Sequence, residues 1–109
     1  MFRNIIQYFN KKNLKDTKYE FLFDKTLNDE YVCFDCETTG LNPKKDDIVS
    51  IGAVIIKNNT IIASKRFVKF VKPKTKLQAD AIKIHHIRVC DLEDAEDINV
   101  VVEEFLNFI

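Results

Sequence analysis

The sequence predicts an α/β fold in which a small sheet is flanked by helices, and three observations support this class. Residues 31–36 and 48–57 are rich in β-branched and aromatic side chains, and residues 60–71 resume that pattern after a short polar break. Residues 98–109 carry apolar side chains at helical spacing. Because such a helix normally leads back into a parallel strand, the first strand is expected at the centre of the sheet.

Length and composition limit what the chain can be. Its 109 residues, 46% of them apolar, suffice for one modest core. The 17 basic and 17 acidic residues balance, so any affinity for a polyanion must be local. The apolar run at 51–56 is far shorter than the roughly 18 residues of a membrane span, and residues 1–13 lack a signal-peptide core. A cytoplasmic protein without a membrane partner is expected.

The first 30 residues are predicted to be an N-terminal helix and a connector that precede the domain at 31–109. Apolar residues at helical spacing indicate an amphipathic helix over 2–12, whose stripe consists of Phe2, Ile5, Ile6 and Phe9. Simple packing of this stripe is favoured over binding of a partner. The remaining residues, 13–30, are interpreted as a connector with a short anchored piece.

Residues 47–71 are predicted to form a β-hairpin. The near-continuous β-branched run at 48–57 is typical of a strand covered on both faces. Asn58 and Asn59 supply a turn, and the third strand follows over 60–71 until Pro73 ends it.

Two helical segments follow the hairpin. Residues 77–87 suit a short helix or helical turn and then a loop. Asp97 stands where its carboxylate can accept hydrogen bonds from the free N–H groups at the start of the last helix. The last helix, 98–109, is expected to pack on the sheet.

The stretch YVCFDCETTGLNP, residues 31–43, ends an apparently buried strand with two acids. Asp35 and Glu37 are two residues apart, so their side chains project to the same face. Two ionised carboxylates this close repel each other unless a cation lies between them, and Mg²⁺ or Mn²⁺ prefers carboxylate oxygens. The alternative is a pair of solvated strand-end acids that cap nearby amides.

The residues after the acid pair are suited to an anionic ligand. Ligands enter α/β sheets at the carboxyl edge of the strands, where this segment lies. Gly40 is expected to adopt the positive φ of a sharp turn, and the hydroxyls of Thr38 and Thr39 can meet an anionic substrate.

Two motifs resemble one family. The segment FDCETTGLNPKKDDIVSIGAVII is similar to the first motif of the DEDD-type (DEDDh) 3′–5′ exonucleases, especially the proofreading epsilon subunit of bacterial DNA polymerase III, and ADAIKIHHI is similar to a downstream segment that ends in histidine. The resemblance covers about residues 30–109, the N-terminal half of that domain. It implies an α/β, ribonuclease H-like mixed sheet flanked by helices, which is incomplete at the C-terminus of this chain.

The resemblance also implies roles for single residues. Asp35 and Glu37 match the first two catalytic, metal-binding acids, with Asp35 bridging two Mg²⁺ or Mn²⁺ ions. His86 replaces the glycine that usually follows the motif's histidine. The residues matched to substrate binding are Thr38, Thr39 and Gly40 around the terminal nucleotide, Leu41 against the bases, and Asp80 and His85 facing the nucleotide.

The function implied is hydrolysis of terminal phosphodiester bonds at the single-stranded 3′ end of DNA, with DNA polymerase III core subunits or a clamp as further partners. RNA is the alternative substrate, and a non-catalytic polymerase-binding module is the alternative from another class. The family's histidine base and two further aspartates belong to motifs downstream of the 98–109 helix. The chain is therefore expected to be a first half with little or no nuclease activity alone.

The other reactive residues have simpler interpretations. Cys33 and Cys36, with Cys90, His85 and His86 as partners, suggest zinc or redox chemistry. Strand positions three apart face opposite sides, so buried small hydrophobic residues are favoured and no disulfide scaffold is expected. Asp46 and Asp47 are interpreted as loop charges. His85 is as consistent with a structural histidine as with a substrate contact.

A basic stretch follows along the third strand and the segment after it. It is as consistent with a solvated surface as with a track for phosphates. Its members are Lys65, Arg66, Lys69, Lys72, Lys74 and Lys76.

Overall fold

The computed structural model describes residues 2–24 and 29–109, so residues 25–28 of the predicted connector lie outside the described residues. Two short 3₁₀ helices accompany the main elements, at Thr17–Phe23 and Val89–Leu92. The main elements are α1 (Phe2–Lys12), β1 (Glu30–Thr38), β2 (Ile48–Lys57), β3 (Thr60–Phe70), α2 (Ala79–His85) and α3 (Ile98–Phe108).

The strands form one antiparallel sheet in the order β1-β2-β3. The prediction that the first strand is central is wrong for this sheet, because β1 hydrogen-bonds only to β2 and lies at an edge. Among the described residues, parallel pairing is limited to one bridge between Val71 and Glu96.

The β2–β3 hairpin is confirmed. Asn58 and Asn59 both have positive φ, 51° and 58°, the conformation that matches a two-residue turn to the twist of its strands. The register shifts after Val54, which pairs with Arg66 while the next residue, Ile55, pairs with Ile62. Three residues of β3, 63–65, therefore bulge out of the ladder.

The burial of β1 and β2 differs from the prediction because α3 covers only one face of the sheet. In β2, Val49, Ile51, Ala53 and Ile55 are buried, while the alternate residues are half-buried. The predicted coverage of both faces is therefore wrong. The prediction of a buried β1 is also wrong, since all nine of its residues are exposed or half-buried.

The predicted C-terminal helix is confirmed, and it closes the main core. The Asp97 carboxylate accepts a hydrogen bond from the Asn99 N–H at 2.9 Å, which satisfies one free donor at the helix start. On the buried face, the Phe67 ring centroid lies 5.7 Å from that of Phe105 and 5.6 Å from that of Phe108. Val101 is fully buried among them.

A second, smaller core cluster supports the segment that leads to α2. Val49 of β2 packs with Leu77 and Leu92, all three buried, and Ile82 of α2 packs against them. The predicted short helix in 77–87 is confirmed, and this cluster fixes it against the end of the sheet that carries the acids.

The N-terminal helix is confirmed, but its apolar stripe is not covered. Ile5, Ile6 and Phe9 remain 49%, 56% and 56% exposed, so the simple-packing interpretation is wrong for these side chains. The connector does contain an anchored piece, because Lys18 of the first 3₁₀ helix lies 3.2 Å from the Glu103 carboxylate of α3. Within 2–24 and 29–109, no helix is long and apolar enough to cross a membrane.

Candidate active site

The two acids lie at the C-terminal end of β1, on the face of the sheet that α3 leaves open. Asp35 pairs with Gly52 across the ladder and Glu37 pairs with Ser50. Phe34, the residue before Asp35, points the other way, with its ring 5.2 Å from that of Phe105 in α3. Asp35 is exposed and Glu37 is half-buried, so both carboxylates are accessible to a solvated cation.

The donor set fits one hard divalent cation that keeps much of its water. One Asp35 oxygen, Oδ1, accepts a hydrogen bond from the Cys36 N–H at 2.9 Å, which orients this carboxylate. In the described part of the chain, no group of three or more His, Cys, Asp or Glu side chains is placed to hold a metal. Mg²⁺ commonly binds through one or two carboxylates and several waters, so two acids are a partial but chemically suitable site.

A cavity of about 200 Å³ opens beside Glu37 and brings together most of the predicted substrate residues. Leu41 is 93% exposed at its edge and offers an apolar surface to a base. Asp80 points into solvent, with Oδ1 3.7 Å from the Lys83 ammonium. The residues that line the cavity are Glu37, Thr38, Gly40, Leu41, Gln78, Asp80, Ala81, Ile84 and His85.

His85 is held by two hydrogen bonds that define its tautomer. Its Nδ1 accepts from the Ile87 N–H at 3.0 Å, so Nε2 carries the hydrogen and donates to the Thr38 carbonyl at 3.1 Å. The ring therefore ties α2 to the end of β1 beside Glu37. The next residue, His86, ends α2 with φ of 61°, a conformation that favours glycine at this position.

The two threonines have different environments. The Thr38 hydroxyl donates to the Gly40 carbonyl at 2.7 Å and lies at the cavity. Thr39 is completely buried, and its hydroxyl donates to Asp46 at 3.1 Å and accepts from the Asp47 N–H at 3.0 Å. Thr39 thus holds the loop from inside rather than lining the cavity.

Gly40 does not form a left-handed turn; its side-chain position is instead crowded by the ends of two neighbouring side chains. Its φ is not positive, so the expected positive φ is wrong. A Cβ at this position would overlap the Gln78 side-chain amide and lie 2.6 Å from Asp46 Oδ2. Those groups are already bonded, since Gln78 Nε2 donates to Asp46 Oδ1 at 3.1 Å.

Asp46 and Asp47 are more than loop charges, which the sequence reasoning missed. Asp47 Oδ2 accepts from the Lys74 N–H at 2.9 Å and from the Thr75 N–H and hydroxyl at 2.7 and 2.9 Å. These bonds, the Thr75 backbone bond foremost, lower the pKa of Asp47 below its ordinary value. The partners lie 28 residues away, so no local pattern signals the contact.

Replacing Asp47 with asparagine is expected to lower the free energy of unfolding at pH 7 by about 1–3 kcal/mol. The asparagine amide lacks the negative charge that strengthens the hydrogen bonds from the three donors of residues 74–75. The pKa of Asp47 is lower in the folded protein than in the unfolded chain, where it is about 3.9. The stabilisation is therefore complete above the unfolded-state value and disappears as pH falls through the folded-state value. Urea unfolding should therefore show a smaller difference between wild type and variant at about pH 3 than at pH 7.

The exposed Asp94, which makes no hydrogen bond or ion pair within the described ranges, offers a matched control. Asp94→Asn should stay within about 0.5 kcal/mol of wild type at both pH values. A difference for Asp47→Asn that is equally large at about pH 3 would contradict the charge-based account.

The cysteines do not form a metal or redox centre among the described residues. Cys33 pairs with Val54 and Cys36 with Ile51, which places their side chains on opposite faces of the sheet. All three thiols are free, and Cys33 is exposed, so the prediction of burial is wrong for it. Burial, and then the charges of Asp35 and Glu37, raise the pKa of the Cys36 thiol, which keeps it protonated at neutral pH.

Comparison with known proteins identifies relatives of this chain. The exonuclease family model RNase_T matches residues 32–109. PolC-type DNA polymerase III of Mycoplasmopsis pulmonis is 36% identical over 101 residues, which are 93% of this chain and 7% of that protein. The corresponding enzyme of Caldanaerobacter subterraneus is 39% identical over 85 residues, 78% of this chain and 6% of the relative. The chain thus spans only a small fraction of these relatives.

Solved structures show the same fold. Exonuclease X in complex with 5′ overhanging duplex DNA is 26% identical with a TM-score of 0.59, over 68% of this chain and 42% of that one. The nuclease domain of 3′hExo, a DEDDh family member bound to rAMP, is 20% identical with a TM-score of 0.63, over 78% of this chain and 46% of that one. Since the family model matches most of the chain, the resemblance carried by the D-x-E-T-T-G motif is confirmed: the chain belongs to the DEDD-type exonuclease family.

Proposed function

We propose that residues 31–109 are the part of a DNA 3′–5′ exonuclease domain that supplies the first two metal-binding acids and the pocket for the terminal nucleotide. One observation carries the proposal. Asp35 and Glu37 share an open sheet face, and Glu37 also lines the cavity formed by Thr38, Leu41 and His85. A cation at the acids and a nucleotide in the cavity would therefore be neighbours.

In this proposal Asp35 and Glu37 would hold Mg²⁺ or Mn²⁺, and Asp35 would be the ligand shared by two ions in a complete domain. Such a cation, when bound, would supply the Lewis acidity that activates a water and stabilises the leaving oxygen of an in-line displacement. Leu41 packs against a base, Thr38 and Gly40 border the terminal nucleotide, and Asp80 faces it. His85 orients the Thr38 carbonyl through its Nε2–H and presents its ring edge to the nucleotide. Thr39 supports this wall from the buried side.

DNA is favoured over RNA because of the relatives with the highest identity reported above. The two PolC-type relatives, at 36% and 39% identity, are DNA polymerases by name. The neighbour bound to rAMP is 20% identical, which supports the fold alone. A contact with other DNA polymerase III subunits is part of the proposal. RNA stays the second candidate, since the residues around the cavity do not distinguish the two sugars.

The proposal is tested by Mn²⁺-dependent binding of a fluorescent single-stranded DNA that ends in a 3′-hydroxyl. We expect anisotropy to show tighter binding with Mn²⁺ than with EDTA, and tighter binding of DNA than of RNA of the same sequence. The Asp35→Asn and Glu37→Gln variants should lose the Mn²⁺-dependent part. Release of 3′ nucleotides should stay near background, because the described residues supply two acids and both His85 ring nitrogens are already bonded.

Three outcomes would change this account. Binding that is equal with Mn²⁺ and with EDTA, and that survives both substitutions, would favour the non-catalytic module. Tighter binding of RNA would favour the second candidate. Rapid 3′-end release that Asp35→Ala abolishes would confirm an exonuclease and contradict the low activity expected of this chain.

A further inference from the structure

Two lysine-bearing segments meet beside the cavity that Glu37 lines. Residues 44–45 belong to the loop between β1 and β2, and residues 74–76 follow β3. Asp47 binds the Lys74 N–H at 2.9 Å, and Asp46 binds the Gln78 side-chain amide at 3.1 Å, so the two segments are tied together. Lysines 30 residues apart in sequence are thereby brought to one surface.

These segments form the walls of a cleft of about 570 Å³, hereafter the basic cleft, whose lining includes Lys45, Asp46, Lys76, Leu77, Gln78 and Ile82. Lys45 and Lys76 supply its cations, while Leu77 and Ile82 supply an apolar floor. Gln78 also lines the cavity beside Glu37. The basic cleft therefore continues directly into the proposed site of the terminal nucleotide.

The charges of this surface are free for a ligand. Within residues 2–24 and 29–109, Lys44, Lys45, Lys74 and Lys76 make no ion pair. By contrast, Lys69 lies 3.2 Å from Glu96 and 3.1 Å from Glu104, so it is already neutralised. The basic stretch predicted from the sequence is thus divided, and Lys76 is its member that lines the basic cleft.

The two aspartates beside these lysines keep their negative charge, but their oxygens are engaged in the fold rather than paired with a lysine ammonium. Asp46 uses Oδ1 for Thr39 and Gln78 and Oδ2 for the Asn42 N–H at 2.8 Å. Asp47 Oδ2 accepts three hydrogen bonds from residues 74–75. The basic cleft itself thus holds two lysines against one carboxylate, that of Asp46, in a chain whose overall charge is zero.

We propose that the basic cleft binds the phosphates of the nucleic-acid strand just before its 3′-terminal nucleotide, with Lys45 and Lys76 as the phosphate contacts. The inference rests on the proposed function, since it takes the cavity beside Glu37 as the site of the strand end. Leu77 and Ile82 give the sugars or bases an apolar surface, which an isolated phosphate ion would not use. A strand that leaves the cavity past Gln78 enters the basic cleft at once.

The test is the salt dependence of binding for a short fluorescent oligothymidylate, measured by anisotropy in Mn²⁺ between about 50 and 200 mM KCl. Each phosphate contact contributes about 0.7 to the slope of log affinity against log salt for a single strand, so Lys45→Gln/Lys76→Gln should lower that slope by about 1.4. Lys12→Gln/Lys15→Gln, which removes two exposed lysines from the N-terminal region, should leave the slope unchanged. Circular dichroism verifies that each variant is folded.

An unchanged slope in the Lys45/Lys76 variant, or an equal loss in the Lys12/Lys15 variant, would overturn the proposal. Displacement of DNA by oligoglutamate at equal concentration would also overturn it, in favour of an acidic protein partner. The experiment distinguishes failure of the proposed nuclease site from failure of the basic cleft. If Asp35→Asn removes Mn²⁺-dependent binding but the lysine variant keeps its slope, the nuclease site stands and the basic cleft does not. If the lysine variant lowers the slope but Asp35→Asn changes nothing, the reverse holds.

Discussion

Phe67→Ala is expected to lower the free energy of unfolding by about 3–5 kcal/mol, the usual range for removing a buried phenylalanine. Phe67 is 8% exposed at the centre of the main core. Its ring contacts Phe105 and Phe108 of α3, so its removal leaves a cavity where α3 packs on the sheet. Because small domains have only about 5–15 kcal/mol in total, this substitution removes a large part of the stability.

The chain contains a matched control for this substitution. Phe9→Ala removes the same side chain from α1, where it is 56% exposed, and should change the free energy of unfolding by about 0.5 kcal/mol or less. Urea denaturation followed by far-UV circular dichroism measures both variants. Equal losses for the two variants would mean that α3 does not close the core as described.

Asp35→Asn is expected to weaken Mn²⁺ binding at least about tenfold, which corresponds to about 1.4 kcal/mol. The substitution removes one of two anionic ligands and half of the local negative charge while keeping the size of the side chain. The wild-type affinity itself should be weak, with a dissociation constant of about 1 mM or higher, because two carboxylates supply less charge and fewer ligands than even the weakest class of calcium sites, which bind at about 0.1–1 mM.

Electron paramagnetic resonance of free Mn²⁺ during a titration gives these constants directly. Asp94→Asn removes an equal charge from an exposed position outside the cavity, so the Mn²⁺ affinity of this variant should match that of wild type. An Asp94→Asn loss as large as that of Asp35→Asn would show that net charge, rather than the acid pair, attracts the ion.

The elements that the sequence predicted correctly are those with local causes. The Asn58-Asn59 turn and the Asp97 cap depend on residues next to the feature they produce, and both are present. The position of β1 depends on which strands flank it, and that is a long-range property. Its apolar and aromatic residues suggested burial, yet with one neighbouring strand and one covering helix, side chains such as Tyr31 and Cys33 stay exposed.

The same contrast between local and long-range causes holds for the candidate site. The spacing of Asp35 and Glu37 was enough to predict a shared face, because strand alternation is local. The contacts of Asp47 with residues 74–75 and the division of the basic stretch depend on how distant loops meet, which no spacing reveals. Gly40 illustrates the limit well: its importance was predicted, but the cause is the closeness of Gln78 rather than a backbone angle.

Addition of Mn²⁺ to the isotopically labelled protein, followed by NMR, measures the central claim most directly. Paramagnetic broadening falls steeply with distance, so even a weakly bound ion identifies its neighbours. We expect selective loss of the amide signals of residues 35–38 and of Gly52 across the ladder. That loss should be absent in the Asp35→Asn/Glu37→Gln variant. Broadening that is uniform over the protein, or that persists in this variant, would show that the paired acids of β1 do not hold a divalent cation.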